Sequence, residues 1–421
     1  MQMAKTLTLD GVQWPRILSF FSGIGMVVAS ILTIRHYFLA NFPESIFEGS
    51  FCDISAFFNC DSSAFSLVSQ VMGVPLGFFG IIVGSLLALG ALFPSESFER
   101  TNSFIAMLNM LGVIALFAYS VFAMGSLCLL CTGFYLFSLL SFFLFWKYGI
   151  GKGKRMSFMR FFQPSLKMLL TFACITALGA YGMILYHDAK TDAQAAVTLR
   201  IIKQFRDLPL VNNPSILSPY WTVRSTENFE DAPIQVIEFS DFLCPDCLFL
   251  TQEFDKLKEE FAGKINIAFQ FFPLEGSCNP AAFEKDIHPG ACELAYIAAY
   301  DPAQFVAIHD EIFANFNLAR RPEWRQELAM RYGVEQALDD PVTHDIVQSI
   351  ANTGMEYERT SEKFTYGIRS TPTIIINGRM IIGTLPYEHL RAIFQDLVDA
   401  YEGRSRFIEQ WVPPKARKVK K

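Results

Sequence analysis

Over the first 190 positions, apolar residues follow neither the helical nor the strand period; they run on with almost no charge for the length of a bilayer crossing, about 20 residues at helical rise. Five such runs stand at roughly 17–38, 73–93, 104–124, 127–146 and 168–186. The first has a short lead carrying Lys5 and Arg16, and its apolar stretch outlasts the core of a signal peptide, so a retained helix is expected. Beyond about position 220 the pattern changes. Alternating stretches such as "IQVIEFS", 234–240, precede amphipathic ones such as "LFLTQEFDKLKEEF", which predicts strands and helices of a soluble α/β domain. Between the two parts, 188–220 reads as a linker whose segment "VTLRIIKQFRDL" is expected to lie near the membrane surface.

Charge gives the layout a direction. The 146–168 loop carries Lys147, Lys152, Lys154, Arg155, Arg160 and Lys167 with no acid, whereas 39–72 carries Glu44, Glu48, Asp53 and Asp61 with no Lys or Arg. Basic loops stay on the cytoplasmic side, so a chain crossing five times has its amino terminus inside and everything after about 186 outside. In a bacterium that places the soluble part in the periplasm, anchored in the inner membrane. Composition agrees: of 421 residues 52% are hydrophobic and 18% charged, and a net charge of −6 gives no hint of nucleic-acid binding, which needs clustered Lys and Arg. The basic tail, 404–421, reads as a solvated end, and Arg35 and His36 as headgroup-facing side chains at the end of the first helix.

Nine cysteines test this topology. Cys52 and Cys60 fall in the first outer loop, Cys128 and Cys131 at the outer end of the fourth run, and Cys244, Cys247, Cys278 and Cys292 in the soluble domain. Four pairs on the oxidising side of a membrane fit disulfide chemistry. No segment offers four Cys or His ligands at zinc spacing, so no metal is expected. Cys278 and Cys292 close a loop of about 15 residues, worth about 3 kcal/mol by chain entropy, and are expected as a structural disulfide. Cys174, alone on an apolar helix, is expected as a small packed side chain. In Cys244-Pro-Asp-Cys247, Pro245 suits the first helical position and leaves Cys244 at the helix amino terminus, which favours thiolate. In "SLCLLCTGFY", 126–135, Ser126 is placed to cap the helix with Cys128 in its first turn, and thiols at i and i+3 share a face. A thiol pair at the membrane surface can meet both water-side thiols and a lipid-soluble two-electron acceptor, for which a quinone is the obvious candidate.

Strand, CPDC, helix, insertion, Thr371-Pro372 and a final helix, in that order over about 221–403, resemble the DsbA-like branch of the thioredoxin superfamily. The resemblance implies that Glu238, six residues before Cys244, is a buried acid relaying the proton of the second cysteine. It also implies that Pro372 forms the cis-proline loop facing the active cysteines.

The membrane part resembles the vitamin K epoxide reductase family over about 14–150. Two loop cysteines, Ser66 six residues past the second, a CxxC opening the fourth helix and Tyr135 four residues past its last cysteine all match. Bacterial members are often fused to a thioredoxin-like domain through a fifth helix, here 166–187. Animal members have an Asn in the second helix near the quinone, and 71–93 contains none; the resemblance therefore carries quinone reduction and not reduction of a vitamin K epoxide. The fold expected is a polytopic helical membrane protein, a four-helix bundle plus a linking helix, with a carboxy-terminal thioredoxin-fold domain.

The implied relay starts from reduced secreted proteins, or free thioredoxin-like partners, at Cys244 and Cys247. It passes through Cys52 and Cys60 to Cys128 and Cys131, and ends on ubiquinone or menaquinone polarised by Ser66 and Tyr135. The alternative is a disulfide isomerase or reductase kept reduced: Thr371 occurs in isomerase-like relatives, and Asp246 disfavours thiolate more than His would.

Overall fold

The computed structural model describes residues 14–46, 58, 60–66, 68–93, 95–148, 163–282, 286–359 and 367–404. Cys52 and residues 405–421 of the basic tail lie outside them. The chain divides into two compact units, residues 1–40 with 57–191 and residues 41–56 with 192–421.

The first unit is built from apolar helices. Helix α1, Trp14–Asn41, is followed by a two-residue ribbon, β1 Gln70–Val71 and β2 Val74–Pro75, then by α2, Leu76–Leu92, and α3, Glu96–Ala118. Helix α3 runs on as a π-helical turn, Tyr119–Met124, and α4 spans Leu129–Tyr148. Among the described residues four helices are long and apolar enough to cross a membrane: Trp14–Asn41, Glu96–Met124, Leu129–Lys147 and Leu166–Gln194; the apolar Leu76–Leu92 has 17 residues. At helical rise those 17 residues span about 26 Å, close to the thickness of the hydrocarbon layer.

Small and polar residues hold these helices together, because lipid supplies no hydrophobic drive between them. A Cβ on Gly23 or Gly84 would sit 2.7 Å from backbone atoms of the opposite helix, so only glycine permits the α1–α2 approach. The Asn102 amide donates to Leu86 O at 2.8 Å, and Ser22 and Ser141 share a hydrogen bond of 2.8 Å. Ser95 caps α3 by accepting from Phe98 N, with Glu96 and Glu99 in the favourable first turn.

Helix α5 is a single run of 42 residues, Leu166–Asp207. The segment expected at the membrane surface forms its last turns, and its apolar face is covered by protein instead. Ile201, Ile202, Phe205 and Leu208 join Ile234, Ile374, Leu390 and Phe394 in one buried cluster. Arg206 pairs with Asp396, and Gln194 meets the His389 ring at 2.8 Å. Burying four large apolar side chains in a ready core outweighs spreading them on headgroups. Cys174 departs from expectation too: it is exposed on α5, because that part of the helix packs against little else.

The second unit has a five-stranded sheet in the order β3-β5-β4-β6-β7. Its strands are β3 Trp221–Val223, β4 Ile234–Ser240, β5 Ile265–Phe271, β6 Thr373–Ile376 and β7 Arg379–Ile382. The β4–β5 pair is parallel and the others antiparallel. Helix α6, Pro245–Glu260, connects β4 to β5, and α11, Tyr387–Tyr401, packs beside it after an insertion whose longer helices are α7 Ala291–Ala299, α8 Phe305–Ala314, α9 Pro322–Tyr332 and α10 Pro341–Asn352. Both faces of the central strands are covered, which is why β5 reads as a continuous buried run. This is a thioredoxin-like α/β domain.

Candidate functional site

Two thiol pairs stand at helix amino termini, one in each unit. In the first unit Gly125 takes φ +63° and ends the π-helical turn, after which the chain extends and Leu127 bridges to Phe58. The extension carries past Ser126, so α4 begins at Leu129 and the cap is Cys128 itself: the Cys131 backbone N–H donates to Cys128 Sγ at 3.2 Å. Ser126, expected as the cap, makes no hydrogen bond through its hydroxyl among the described residues. Capping by sulfur places Cys128 where the helix end favours thiolate. Its thiol is lowered to about 7, by the hydrogen bond from the Cys131 side chain first, against burial, and then by the Cys131 N–H and His36.

Cys128 Sγ lies 3.5 Å from Cys60 Sγ. Cys60 is buried and disulfide-bonded. Both sulfurs line a cavity of about 210 Å³, together with Cys131, Ser66 and Tyr135. The cavity thus joins four of the sequence-predicted residues of this pair of stations to Tyr135. Ser66 Oγ donates to Ser63 O at 2.8 Å, and the Tyr135 hydroxyl meets the Ser120 side chain. Thr33 of α1 hydrogen-bonds Cys131.

Among the lining residues that sequence reasoning missed are Thr33, Asn109, Ser120 and His36. His36 does not face headgroups; it is 5% exposed and turned into the cavity. A uniformly apolar helix carries no periodic mark of which face is inward, so no signal in the chain separated His36 from its neighbour Arg35.

In the second unit Cys244 is the N-cap of α6, with Pro245 at the first helical position. Cys244 Sγ donates to Thr371 O at 3.3 Å, and the Thr371–Pro372 bond is cis, so Pro372 and the CPDC turn are brought together. Cys247 Sγ accepts from Asp241 N at 3.5 Å. Cys278 and Cys292 are bonded to each other.

Asp241 was not foreseen. Its buried carboxylate accepts from Leu243 N and Leu274 N, both at 2.6 Å, and pairs with His288 Nδ1 at 2.8 Å. These bonds tie the turn before the CPDC to the insertion. Arg320 stands within reach of the Cys244 and Asp241 charges, while burial lowers its guanidinium to about 10.

Glu238 lies on β4 opposite Ile374 and Phe269, fully buried. Burial raises its carboxyl to about 7, with the Ser240 hydrogen bond opposing. A folded value above the unfolded one means that stability is full below about 4.5, where both states are protonated. It falls as pH rises towards 7, because the unfolded chain ionises first. The Glu238→Gln chain is therefore expected to match the unmutated one at pH 4 and to be more stable by about 3 kcal/mol at pH 8. Denaturation of this domain's sheet across that pH range checks it; a difference independent of pH would contradict a buried, raised acid.

Comparison with known proteins follows this division. Residues 16–146 match the vitamin K epoxide reductase family, and residues 229–396 match thioredoxin. Probable disulfide bond formation protein D of Bacillus cereus is 27% identical over 163 residues, 36% of this chain and 68% of that protein. Disulfide bond formation protein D of Bacillus subtilis is 24% identical over 170 residues, 38% of this chain and 71% of that protein. Among solved structures, the thiol-disulfide exchange protein alpha-DsbA2 of Wolbachia pipientis is 18% identical, with a TM-score of 0.31, covering 49% of this chain and 98% of that one.

Proposed function

From a chain that joins a vitamin K epoxide reductase domain to a thioredoxin domain, a bacterial membrane thiol-disulfide oxidoreductase, we propose a specific activity: it makes disulfides de novo in exported proteins and delivers the electrons to a quinone. The observation that carries this reading is the Cys128–Cys60 approach of 3.5 Å on the wall of a cavity that also holds Cys131, Ser66 and Tyr135. The donor set suits a flat apolar molecule with oxygen acceptors: Phe79, Val83 and Val113 line the cavity beside the hydroxyls of Ser66, Ser120 and Tyr135. A bound quinone would supply a two-electron, two-proton sink.

The chain's own residues do the rest. A thiolate of a reduced protein attacks Cys244 of the Cys244–Cys247 disulfide, expelling Cys247 as the thiolate and forming a mixed disulfide; the second thiol of that protein then displaces Cys244, leaving the protein with a disulfide and the domain as a dithiol. Cys52 receives the next attack from Cys244, and Cys60 then exchanges with Cys128. Cys131 is left as the thiolate facing the cavity. Each step is attack of a thiolate on a disulfide sulfur, so thiolate fraction and leaving-group pKa set the rates. Glu238 takes and returns the proton of Cys247, and Pro372 holds the substrate side of the CPDC turn.

Five crossings, with the amino terminus cytoplasmic and the thioredoxin domain periplasmic, put all eight exchanging and pairing cysteines outside. The Lys and Arg bias of the 146–168 loop supports that orientation.

Purified protein in detergent, given a reduced unfolded protein and a ubiquinone or menaquinone analogue, is expected to consume thiols and reduce the quinone in equal amounts. Thiol loss without quinone reduction overturns the reading. Tyr135→Phe, which removes one hydroxyl, is expected to raise the KM for quinone about tenfold, the worth of one hydrogen bond of about 1.4 kcal/mol. Titration of the initial rate against the quinone analogue measures it.

A further inference from the structure

The cavity of the first unit contains a titratable side chain that the relay above does not use. His36 is 5% exposed, near the end of an apolar helix, and lines the same cavity as Cys128 and Cys131. An ionisable group buried at membrane depth is costly unless a partner or a task retains it. Among the described residues lining the cavity, His36 is the one able to carry a positive charge; the other titratable groups there are Tyr37 on the same helix, Tyr119 on the π-helical turn, and Cys128, Cys131 and Tyr135 at and within α4, while Cys60 is disulfide-bonded. His36 acts on Cys128 in the direction of thiolate, as does the capping hydrogen bond from Cys131 N.

We propose that His36 is the counter-cation and proton store of Cys128. An imidazole nitrogen takes the thiol proton: the S–H bond breaks, an N–H bond forms, the electron pair stays on sulfur, and an imidazolium faces a thiolate. No oxidation state changes. The use follows from thiol exchange. When Cys128 is expelled from a mixed disulfide with Cys60, an imidazolium beside it makes it the better leaving group. His36 is therefore a positioning residue for charge, acting through Cys128. That use rests on the proposed relay, whereas the proton sharing itself is measured without quinone.

The test follows alkylation of Cys128 against pH in the reduced full chain in detergent, read by mass spectrometry of the peptide that carries it. The unmutated chain is expected to show half-maximal reactivity near pH 7. In His36→Gln the midpoint rises by about one pH unit, the scale of a lost opposite charge, while alkylation of Cys244 in the same sample is unchanged. His36→Arg, which keeps the charge, restores the low midpoint. An unchanged midpoint in His36→Gln, or His36→Arg behaving as His36→Gln, overturns the proposal. If His36→Gln fails to fold, the imidazole of the unmutated chain gives the same answer by NMR. It titrates higher with Cys128 reduced than with Cys128 blocked as a mixed disulfide, and equal values overturn the proposal. A chain that shows the shift but reduces no quinone removes the relay and keeps the pair.

Discussion

Replacing Cys128 or Cys131 by alanine is expected to abolish the proposed quinone-dependent oxidation of a reduced protein, a loss on the order of 10³-fold or more, as when a reacting nucleophile is deleted. The reason lies in the sulfurs that meet at the cavity. Cys60 Sγ approaches Cys128 Sγ at 3.5 Å, and Cys131 is the next sulfur on the same helix face. Removing Cys128 leaves Cys60 without a partner for exchange, and removing Cys131 prevents closure of the product disulfide. The two variants are expected to differ in what accumulates. Cys131→Ala traps a mixed disulfide between Cys60 and Cys128, visible by non-reducing peptide mapping, whereas Cys128→Ala traps none. Undiminished turnover in either variant would end the relay.

Cys244→Ala has the second largest effect, and a selective one. Oxidation of protein substrates falls to background, because the buried Cys244 at the N-cap of α6 is the thiol set beside Thr371 O and the cis Pro372. Small dithiols, which enter the loop pair directly, still reduce the quinone at close to the unmutated rate. The contrast between the two substrates in one preparation is the measurement. Equal loss with both would mean that the thioredoxin domain is needed to fold or gate the membrane unit; equal retention would mean that protein substrates bypass it. The state of the pair in cells separates oxidase from isomerase: a mostly oxidised Cys244–Cys247 pair accompanies net oxidation.

Several parts of this protein could be read directly from residues in order. The CPDC turn is legible because Pro245 can begin a helix and cannot continue a strand, which sets Cys244 at the cap in any fold with that local geometry. The amphipathic end of α5 announced its apolar face but not its partner. A stripe of Ile201, Ile202 and Phe205 satisfies a lipid surface or a protein core equally, and the choice fell to Phe394, Leu390 and the sheet. Ser126 shows the limit at short range. Its type suits an N-cap, yet the glycine turn at 125 and the Phe58 bridge extend the chain two residues further and hand the role to a sulfur.

By itself the sequence determined the apolar runs, the charge bias of the loops, the two CxxC pairs and the strand–helix order of the thioredoxin domain. These depend on spacing, composition and local backbone preference, which neighbours in the chain settle. The tertiary structure alone decided that Cys60 meets Cys128, that His36 turns inward, and that Asp241 is paired with His288 across 47 positions. In a helix apolar on every side, no period marks the inner face, and a buried hydrogen-bonded pair between distant segments leaves no local trace; which groups meet is set by packing in three dimensions.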